Sequence, residues 1–220
     1  MIKHPSDKIG LETAAILLDI EAVLIASDTP FTLTSGRKSP VYIDGRRLIS
    51  FVEERRKVIQ HAANILESCP AELLAGGESA GIPYAAWLSE AMNKPMLYVR
   101  KKPKGFGRMA QIEGVFTKNQ NVMLVEDLTT DGGTKIEFCK VLRDAGAKVT
   151  DIFSVFYYDS FPEAETEFSA AGLNLHYLTS WKYILQAAAD KNKIAPETVN
   201  DIQGFLSDPV QWSLDAEKQA

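Results

Sequence analysis

The sequence has few cysteines and no long apolar run, and each shortage excludes a class of protein. Cys69 and Cys139 lie 70 residues apart, without a Cys-x-x-Cys pair or a histidine at ligand spacing. This argues against structural zinc, and two lone thiols fit a reducing compartment. No apolar run approaches the roughly 18 residues of a membrane span. The N-terminus is polar and carries Pro5, unlike a signal peptide, so we expect a cytoplasmic protein.

Positive charge is also scarce. The 220 residues carry a net charge of -5, which gives no basic field for nucleic acid. Five cations nevertheless fall within nine positions: Arg100, Lys101, Lys102, Lys104 and Arg108. The length predicts one domain, with an N-terminal helix and hairpin hood over about 1–45, a core over about 46–190, and a C-terminal helix and tail over 191–220. The sequence has no internal repeat.

Two familiar phosphate motifs are missing, but the segment Val122–Thr134 offers another. Gly133 is followed by Thr134 and Lys135, the wrong order for a P-loop, and no G-x-G-x-x-G follows a strand. Instead, an apolar run leads into Glu126 and Asp127, then a glycine-rich turn, then a helical pattern that closes at Gly146. This order predicts a buried parallel strand, a loop at its carboxyl end and a helix.

Residue chemistry suggests what that loop binds. Gly132 and Gly133 allow backbone N–H groups to approach an anion at a helix N-terminus. Carboxylates repel phosphate but suit sugar hydroxyls, or a metal that bridges to other oxygens. A phosphate beside acids that bind a diol describes a ribose 5-phosphate. An isolated acidic turn would usually be solvated, but two adjacent carboxylates that end a buried strand are costly without partners.

Two more loops are predicted at the same edge of the sheet. Glu72–Gly77 is a strand, followed by a glycine loop through Gly81 and a helix over Ile82–Met92; this loop would hold a phosphate through its backbone and Ser79. Pro95–Arg100 is a third strand, and Lys101–Gly114 then forms a cationic flap. Charge runs usually lie in solvent, but a mobile cationic lid would shield a polyanionic substrate from water.

The rest of the chain alternates helices and strands, which predicts a doubly wound parallel α/β sheet. We expect one helix over Asp7–Ser27 before any strand, and a hairpin that pairs Phe31–Leu33 with Val41–Ile43. His61 and His176 are interpreted as structural. The other expected elements are a helix over Phe51–Ser68, a strand over Lys148–Tyr158, a helix over Pro162–Ala171, a strand over Asn174–Leu178, helices over Trp181–Asp190 and Pro196–Leu206, and a frayed tail from Asp215.

Val122–Thr134 resembles the signature of type I phosphoribosyltransferases, which implies that family's fold: a parallel sheet flanked by helices, with a small hood. The resemblance implies that Glu126 and Asp127 hold the ribose hydroxyls and that Thr130–Thr134 wraps the 5-phosphate. Asp131 stands where the family usually has a small neutral residue; it could weaken phosphate binding or point to the reacting bond. With Ser79, the implied phosphoribosyl pyrophosphate residues of this loop are Glu126, Asp127, Leu128, Thr129, Thr130, Asp131, Gly132, Gly133 and Thr134.

Residues 31–134 are further similar to the orotate phosphoribosyltransferase branch, through Phe31–Gly36, Gly76–Pro83 and the run from Tyr98 to Gly107. This implies transfer of phosphoribosyl to orotate, with Mg²⁺ carried by phosphoribosyl pyrophosphate, no certain protein ligand for the metal, and a homodimer. Arg100, Lys101 and Lys104 would grip pyrophosphate, Lys101 in the neighbouring subunit's site. Thr130 would contact orotate, and the catalytic residues would be Lys101, Glu126 and Asp127.

The chain departs from the branch at several positions. Thr34 and Ala80 replace frequent lysines, Phe106 replaces a frequent histidine, and Ser160 and Phe161 stand where many members have an arginine that contacts orotate. Three alternatives stay open: transfer to a purine or uracil, a phosphoribosyl pyrophosphate-sensing regulator without turnover, and a plain binding module. The acidic net charge disfavours the regulator, and the cationic flap disfavours the module.

Overall fold

The computed structural model describes residues 1–26, 29–33, 36–103, 111–191 and 194–219. Within these residues, seven strands form a sheet in the order β1-β11-β10-β9-β6-β7-β8, and two further pairs, β2-β5 and β3-β4, lie apart from it. The strands are β1 (Ile2–Lys3), β2 (Val23–Ile25), β3 (Phe31–Thr32), β4 (Lys38–Ser39), β5 (Val41–Ile43), β6 (Leu73–Gly77), β7 (Met96–Val99), β8 (Ile112–Glu113), β9 (Asn121–Thr129), β10 (Lys148–Tyr157) and β11 (Asn174–Ser180).

Eight α-helices and one 3₁₀-helix connect these strands in the described part of the chain. The 3₁₀-helix is Gly45–Ser50. The α-helices are α1 (Asp7–Asp19), α2 (Val52–Ile65), α3 (Gly81–Met92), α4 (Gly133–Asp144), α5 (Pro162–Ala170), α6 (Trp181–Asp190), α7 (Pro196–Ser207) and α8 (Pro209–Gln219).

The main sheet is parallel except at one edge, which confirms the predicted fold class. Strands β1, β11, β10, β9, β6 and β7 pair in parallel, and only β8 runs antiparallel, against β7. Strands β9 and β10 are buried along nearly their whole length, because helices cover both faces of the sheet. Their carboxyl ends therefore meet at one edge, followed by the loops that the sequence singled out.

The N-terminal region differs from its prediction in two ways. Strand β1 precedes the first helix, and that helix ends at Asp19 rather than continuing to Ser27. Ser6 caps its start as expected, by accepting a hydrogen bond from the Ile9 amide. Glu21 takes a left-handed conformation with φ 56°, which stops the helix, and the β-branched run that follows forms β2 instead.

The predicted hairpin uses a different strand. Phe31–Thr32 pairs with Lys38–Ser39, not with Val41–Ile43. Val41–Ile43 pairs instead with β2, where two apolar strands face each other. Pro40 separates the two pairings and lacks the N–H group that a continuous strand would need.

Two further boundaries are corrected. The tail is helical to Gln219 rather than frayed from Asp215, because Asp208 caps α8 at the Gln211 amide and Asp215 bonds both Gln211 and Lys218 along the helix. Strand β9 continues two residues past the acidic pair to Thr129, so Glu126 and Asp127 lie inside the strand rather than at its end.

Part of the cationic flap is ordered as a strand, since β8 lies within the expected flap and pairs with β7. Three positions discussed in the sequence analysis lie outside the described residues: Lys104, Phe106 and Thr34. None of the described helices is both long enough and apolar enough to cross a bilayer.

Candidate active site

Glu126 and Asp127 point to opposite faces of β9, as successive strand residues must. Glu126 is 5% exposed and lies against Gly77, where a Cβ atom would overlap its carboxylate. Asp127 is half-buried and lies against Gly45, where a Cβ atom would be 3.3 Å from Asp127 Oδ2. Glycine at these two positions therefore makes room for both carboxylates at the end of the sheet.

Burial dominates the electrostatics of the acidic pair. Burial, reinforced by the charge of the nearby Asp127, raises the pKa of Glu126 to about 7 against the opposing effect of the Lys135 charge. Burial also raises the pKa of Asp127, and Lys135 and Arg46 act against that rise. Both carboxylates are thus poised to gain from a partner that donates hydrogen bonds to the ionised form.

The turn after β9 brings a helix N-terminus to the same place. Gly132 has φ 90°, a conformation that favours glycine, and a Cβ atom there would overlap the Phe168 ring. Helix α4 begins at Gly133, and its N-cap residue, Gly132, has no side chain to bond the first N–H groups of the helix. The Gly133 amide donates to Asp131 Oδ1 at 3.2 Å, so a carboxylate already accepts a hydrogen bond from one of the N–H groups expected to bind phosphate.

The glycine loop after β6 lies beside this turn and meets the start of the flap. Glu78 Oε2 accepts a hydrogen bond of 2.8 Å from the Lys101 amide, which ties the base of the flap to the glycine loop. The Arg100 amide donates to the Gln111 carbonyl at 2.8 Å, and Gln111 Nε2 donates back to the Arg100 carbonyl at 2.9 Å. These contacts hold the two ends of the flap together.

The three loops enclose one cleft of about 500 Å³. Ten of the residues predicted from the sequence line it: Ser79, Lys101, Glu126, Asp127, Leu128, Thr130, Asp131, Gly132, Gly133 and Thr134. Thr129 lies below the cleft, fully buried, with its hydroxyl 2.7 Å from that of Ser154. Arg100 is half-buried at the end of β7 and does not line the cleft, and Lys104 lies outside the described residues.

Several lining residues were not singled out from the sequence. The hairpin region supplies Arg37, Tyr42 and Asp44, and the start of the 3₁₀-helix supplies Arg46. Phe161 also lines the cleft, and the Arg37 guanidinium lies 5.3 Å from its ring centroid. Only the tertiary structure shows that this hairpin region folds over the sheet edge and reaches the cleft.

Lys135 was also missed, although it directly follows the predicted loop. It lines the cleft, and its charge opposes the pKa rise of both acids. A cation one residue beyond a phosphate-binding turn is a usable signal, because α4 places it next to the carboxylates that precede the turn.

No protein-family model matches the chain. An orotate phosphoribosyltransferase of Cereibacter sphaeroides is 45% identical over 220 residues, which cover 98% of this chain and 94% of that protein. The UMP synthase of Leishmania donovani superposes with a TM-score of 0.78 at 31% identity, over 89% of this chain and 42% of that one, so this chain spans less than half its length. An orotate phosphoribosyltransferase from Aeropyrum pernix gives a TM-score of 0.70 at 27% identity, over 83% of this chain and 99% of that one.

Proposed function

The chain belongs to the orotate phosphoribosyltransferase family, and we propose that the cleft around Glu126 and Asp127 is where it works. The protein transfers the phosphoribosyl group of phosphoribosyl pyrophosphate to orotate, giving orotidine 5-phosphate and pyrophosphate, in pyrimidine synthesis. One observation supports this cleft above all others: a buried acidic pair and an N–H-rich helix start face the same space.

In this proposal the acidic pair binds the ribose and the turn after β9 binds its 5-phosphate. Glu126 and Asp127 accept hydrogen bonds from the ribose hydroxyls, which compensates for their burial. The N–H groups at the start of α4 and the hydroxyls of Thr130 and Thr134 take the 5-phosphate. When the glycosidic bond breaks, positive charge develops on the ribose directly above two carboxylates, and their field stabilises it.

The cations of the flap act on the leaving group. Lys101 lines the cleft, and its amide is held by Glu78, so its side chain reaches the cleft from a fixed base. We assign Lys101, with Arg100 and Lys104, to the departing pyrophosphate. In a homodimer, the flap would extend to the neighbouring copy, and Lys101 would complete that copy's site.

Mg²⁺ fits this cleft as a companion of the substrate. Magnesium prefers carboxylate and phosphate oxygens and keeps few protein ligands. The pyrophosphate would supply most of the oxygens around the ion, and the carboxylates of Glu126 and Asp127 line the same cleft. When bound, the ion neutralises charge on the pyrophosphate.

Orotate is a planar ring with a carboxylate, and one end of the cleft suits both features. Phe161 and Tyr42 supply aromatic surface, and Thr130 supplies a hydroxyl. Many family members place an arginine near the end of β10, where this chain has Ser160 and Phe161. Arg37 stands over the Phe161 ring, and we propose that it takes the orotate carboxylate in place of that arginine.

The remaining expectations are part of the same proposal. We place the protein in the cytoplasm, as a homodimer of single-domain chains with a hood over residues 1–45. The hood contributes Arg37 and Tyr42 to the cleft, and Tyr84 fixes its junction with the core by donating a 2.7 Å hydrogen bond to the Gly45 carbonyl, beside Asp127.

The direct experiment follows the loss of orotate absorbance when enzyme, Mg²⁺ and phosphoribosyl pyrophosphate are mixed. We expect turnover with orotate, and none above background when uracil, adenine, guanine or hypoxanthine replaces it in a pyrophosphate-release assay. Turnover with one of these bases and not with orotate would move the protein to another branch. Binding of phosphoribosyl pyrophosphate without turnover on any base would indicate a regulator.

A further inference from the structure

A second cluster of reactive side chains lies at the opposite edge of the sheet. Asp151 and His176 occupy the amino-terminal halves of the neighbouring strands β10 and β11, and Cys69 lies in the turn between α2 and β6. The active-site cleft is at the carboxyl ends of the strands, so nothing in the proposed reaction uses these three residues.

The fold brings the three side chains close together. One ligand atom from each, a sulfur, an imidazole nitrogen and a carboxylate oxygen, lies within 4.8 Å of the other two. Asp151 is buried, whereas Cys69 and His176 are half-buried. They line a cavity of about 520 Å³ that also includes His4 and Lys3. The sequence does not indicate this cluster, because Cys69 and Asp151 are 82 residues apart and Asp151 and His176 are 25 residues apart.

Existing contacts already orient the carboxylate and the imidazole. Asp151 Oδ1 lies 2.8 Å from His176 Nε2, and the Asp151 carboxylate also accepts hydrogen bonds from Thr150 Oγ1 at 2.7 Å and Asn174 Nδ2 at 3.2 Å. These three contacts fix the orientation of the Asp151 carboxylate, and the contact with Asp151 in turn fixes the orientation of the His176 ring.

We propose that Cys69, Asp151 and His176 form a binding site for a Zn²⁺ ion. Zinc prefers thiolate, imidazole and carboxylate ligands and accepts three protein ligands with water in the fourth position. Magnesium does not compete, because it disfavours sulfur and nitrogen. On binding, the Cys69 thiol releases its proton to water, and His176 Nε2 exchanges its Asp151 partner for the metal. The side chains of Thr150 and Asn174 keep the ligating carboxylate in place.

The position of the site suggests what a bound ion would do. The cavity reaches the surface, so the ion and a water molecule as its fourth ligand can enter. The ligands come from three segments, and a bound ion would therefore tie the end of α2 to two strands of the sheet. That placement predicts stabilisation of the folded chain rather than a part in catalysis.

The test uses the full chain, stripped of metal with a chelator and without substrate, so its result is independent of the proposed reaction. Co²⁺ is the probe for coordination, because a thiolate-bound cobalt ion gives an intense near-ultraviolet charge-transfer band. Zn²⁺ is then titrated to displace Co²⁺, and the melting temperature is measured with and without Zn²⁺. The variants are Cys69→Ser, Asp151→Asn and His176→Gln, with Cys139→Ala as the matched control at the other cysteine.

We expect the band in the parent chain and in Cys139→Ala, and its loss in Cys69→Ser. The Asp151→Asn and His176→Gln variants should bind Zn²⁺ more than ~10-fold more weakly, and Zn²⁺ should raise the melting temperature of the parent and the control only. A variant that fails to fold is replaced in the comparison by the other two. No charge-transfer band in the parent, or a band that survives Cys69→Ser, would overturn the site and leave the cluster as a hydrogen-bond network.

Discussion

Gly77 on β6 and Glu126 on β9 are in such close contact that a Cβ atom at position 77 would overlap the Glu126 carboxylate. The same Cβ atom would lie 2.9 Å from the Phe138 ring on α4, so it would be crowded by a second side chain as well. We expect Gly77→Ala to destabilise the protein by about 1–3 kcal/mol, as overpacking usually does. It should also raise KM for phosphoribosyl pyrophosphate by displacing Glu126.

Gly204→Ala is the matched control for that change, because nothing lies within 4 Å of a Cβ atom at position 204 in α7. Alanine inside a helix should leave stability equal or slightly higher. Thermal unfolding and substrate-saturation curves of both variants give the comparison. If Gly77→Ala behaved like Gly204→Ala, the proposed packing around Glu126 would be incorrect.

Asp131 accepts a hydrogen bond from an amide that we assign to the 5-phosphate. A carboxylate in that position competes with the phosphate and repels it, by about 1 kcal/mol for two unit charges 4 Å apart in water. We therefore expect Asp131→Asn to lower KM for phosphoribosyl pyrophosphate several-fold with little change in kcat. Asp144→Asn, at the other end of α4, serves as the control. A large fall in kcat at constant KM would instead place Asp131 at the reacting bond.

Lys101 is expected to act at the transition state. Removing one such donor typically lowers kcat about 10²-fold or more, and we expect this of Lys101→Ala but not of Lys102→Ala, whose side chain does not line the cleft. If the flap crosses between subunits, mixing Lys101→Ala with the inactive Asp127→Asn should restore part of the activity. Mixed dimers that remain inactive would rule out the shared site while leaving the role of Lys101 in its own site to be tested.

The raised pKa of Glu126 makes folding stability depend on pH in a defined direction. Its folded pKa is about 7 against an ordinary value of 4.5, so the folded state binds more protons between these values. Stability therefore falls as pH rises from about 4.5 to 7, by up to ~3 kcal/mol for this group. Denaturant unfolding at several pH values should show this slope in the parent and a shallower one in Glu126→Gln. Glu90→Gln, at an exposed position in α3, should keep the parent's slope.

The main features of the fold and the strand, turn and helix around Glu126 could be predicted because they depend on local pattern. The apolar run before Glu126, the glycines at 132 and 133 and the helical spacing after them are contiguous, and β9 and α4 followed as expected. The pairing of Val41–Ile43 with β2 could not be predicted in this way. Short strands are specified by whichever apolar partner the fold brings close, here Val23–Ile25.

The sequence pattern also could not predict the orientation of some side chains at the site. A strand pattern does not say how far the strand continues, and β9 runs two residues beyond the acidic pair, which turns the Thr129 hydroxyl into the core toward Ser154. Contacts between residues far apart in the sequence could not be predicted either. Cys69 had no ligand-like spacing, yet the turn between α2 and β6 places it within 4.8 Å of ligand atoms of Asp151 and His176. Arg37 reaches the cleft only because the hairpin folds over the sheet edge.

Arg37 supplies the last prediction, which concerns base specificity. If it takes the orotate carboxylate, Arg37→Leu should raise KM for orotate by 10-fold or more, since loss of a charge-assisted contact costs about 1.5–3 kcal/mol. KM for phosphoribosyl pyrophosphate should change little, because the proposed partner of Arg37, beside the Phe161 ring, is the orotate carboxylate.

Arg37→Lys distinguishes charge from geometry at this position. Lysine keeps the positive charge but cannot form a bidentate contact, so it should recover only part of the orotate affinity. Uracil provides the internal comparison as a competitor of orotate, because it lacks the carboxylate, and its inhibition constant should be unaffected by either substitution. Steady-state kinetics with orotate, in the presence and absence of uracil, provides the measurement. Equal effects on orotate and uracil would mean that Arg37 supports the Phe161 ring and the hairpin, and that the carboxylate is held by another residue.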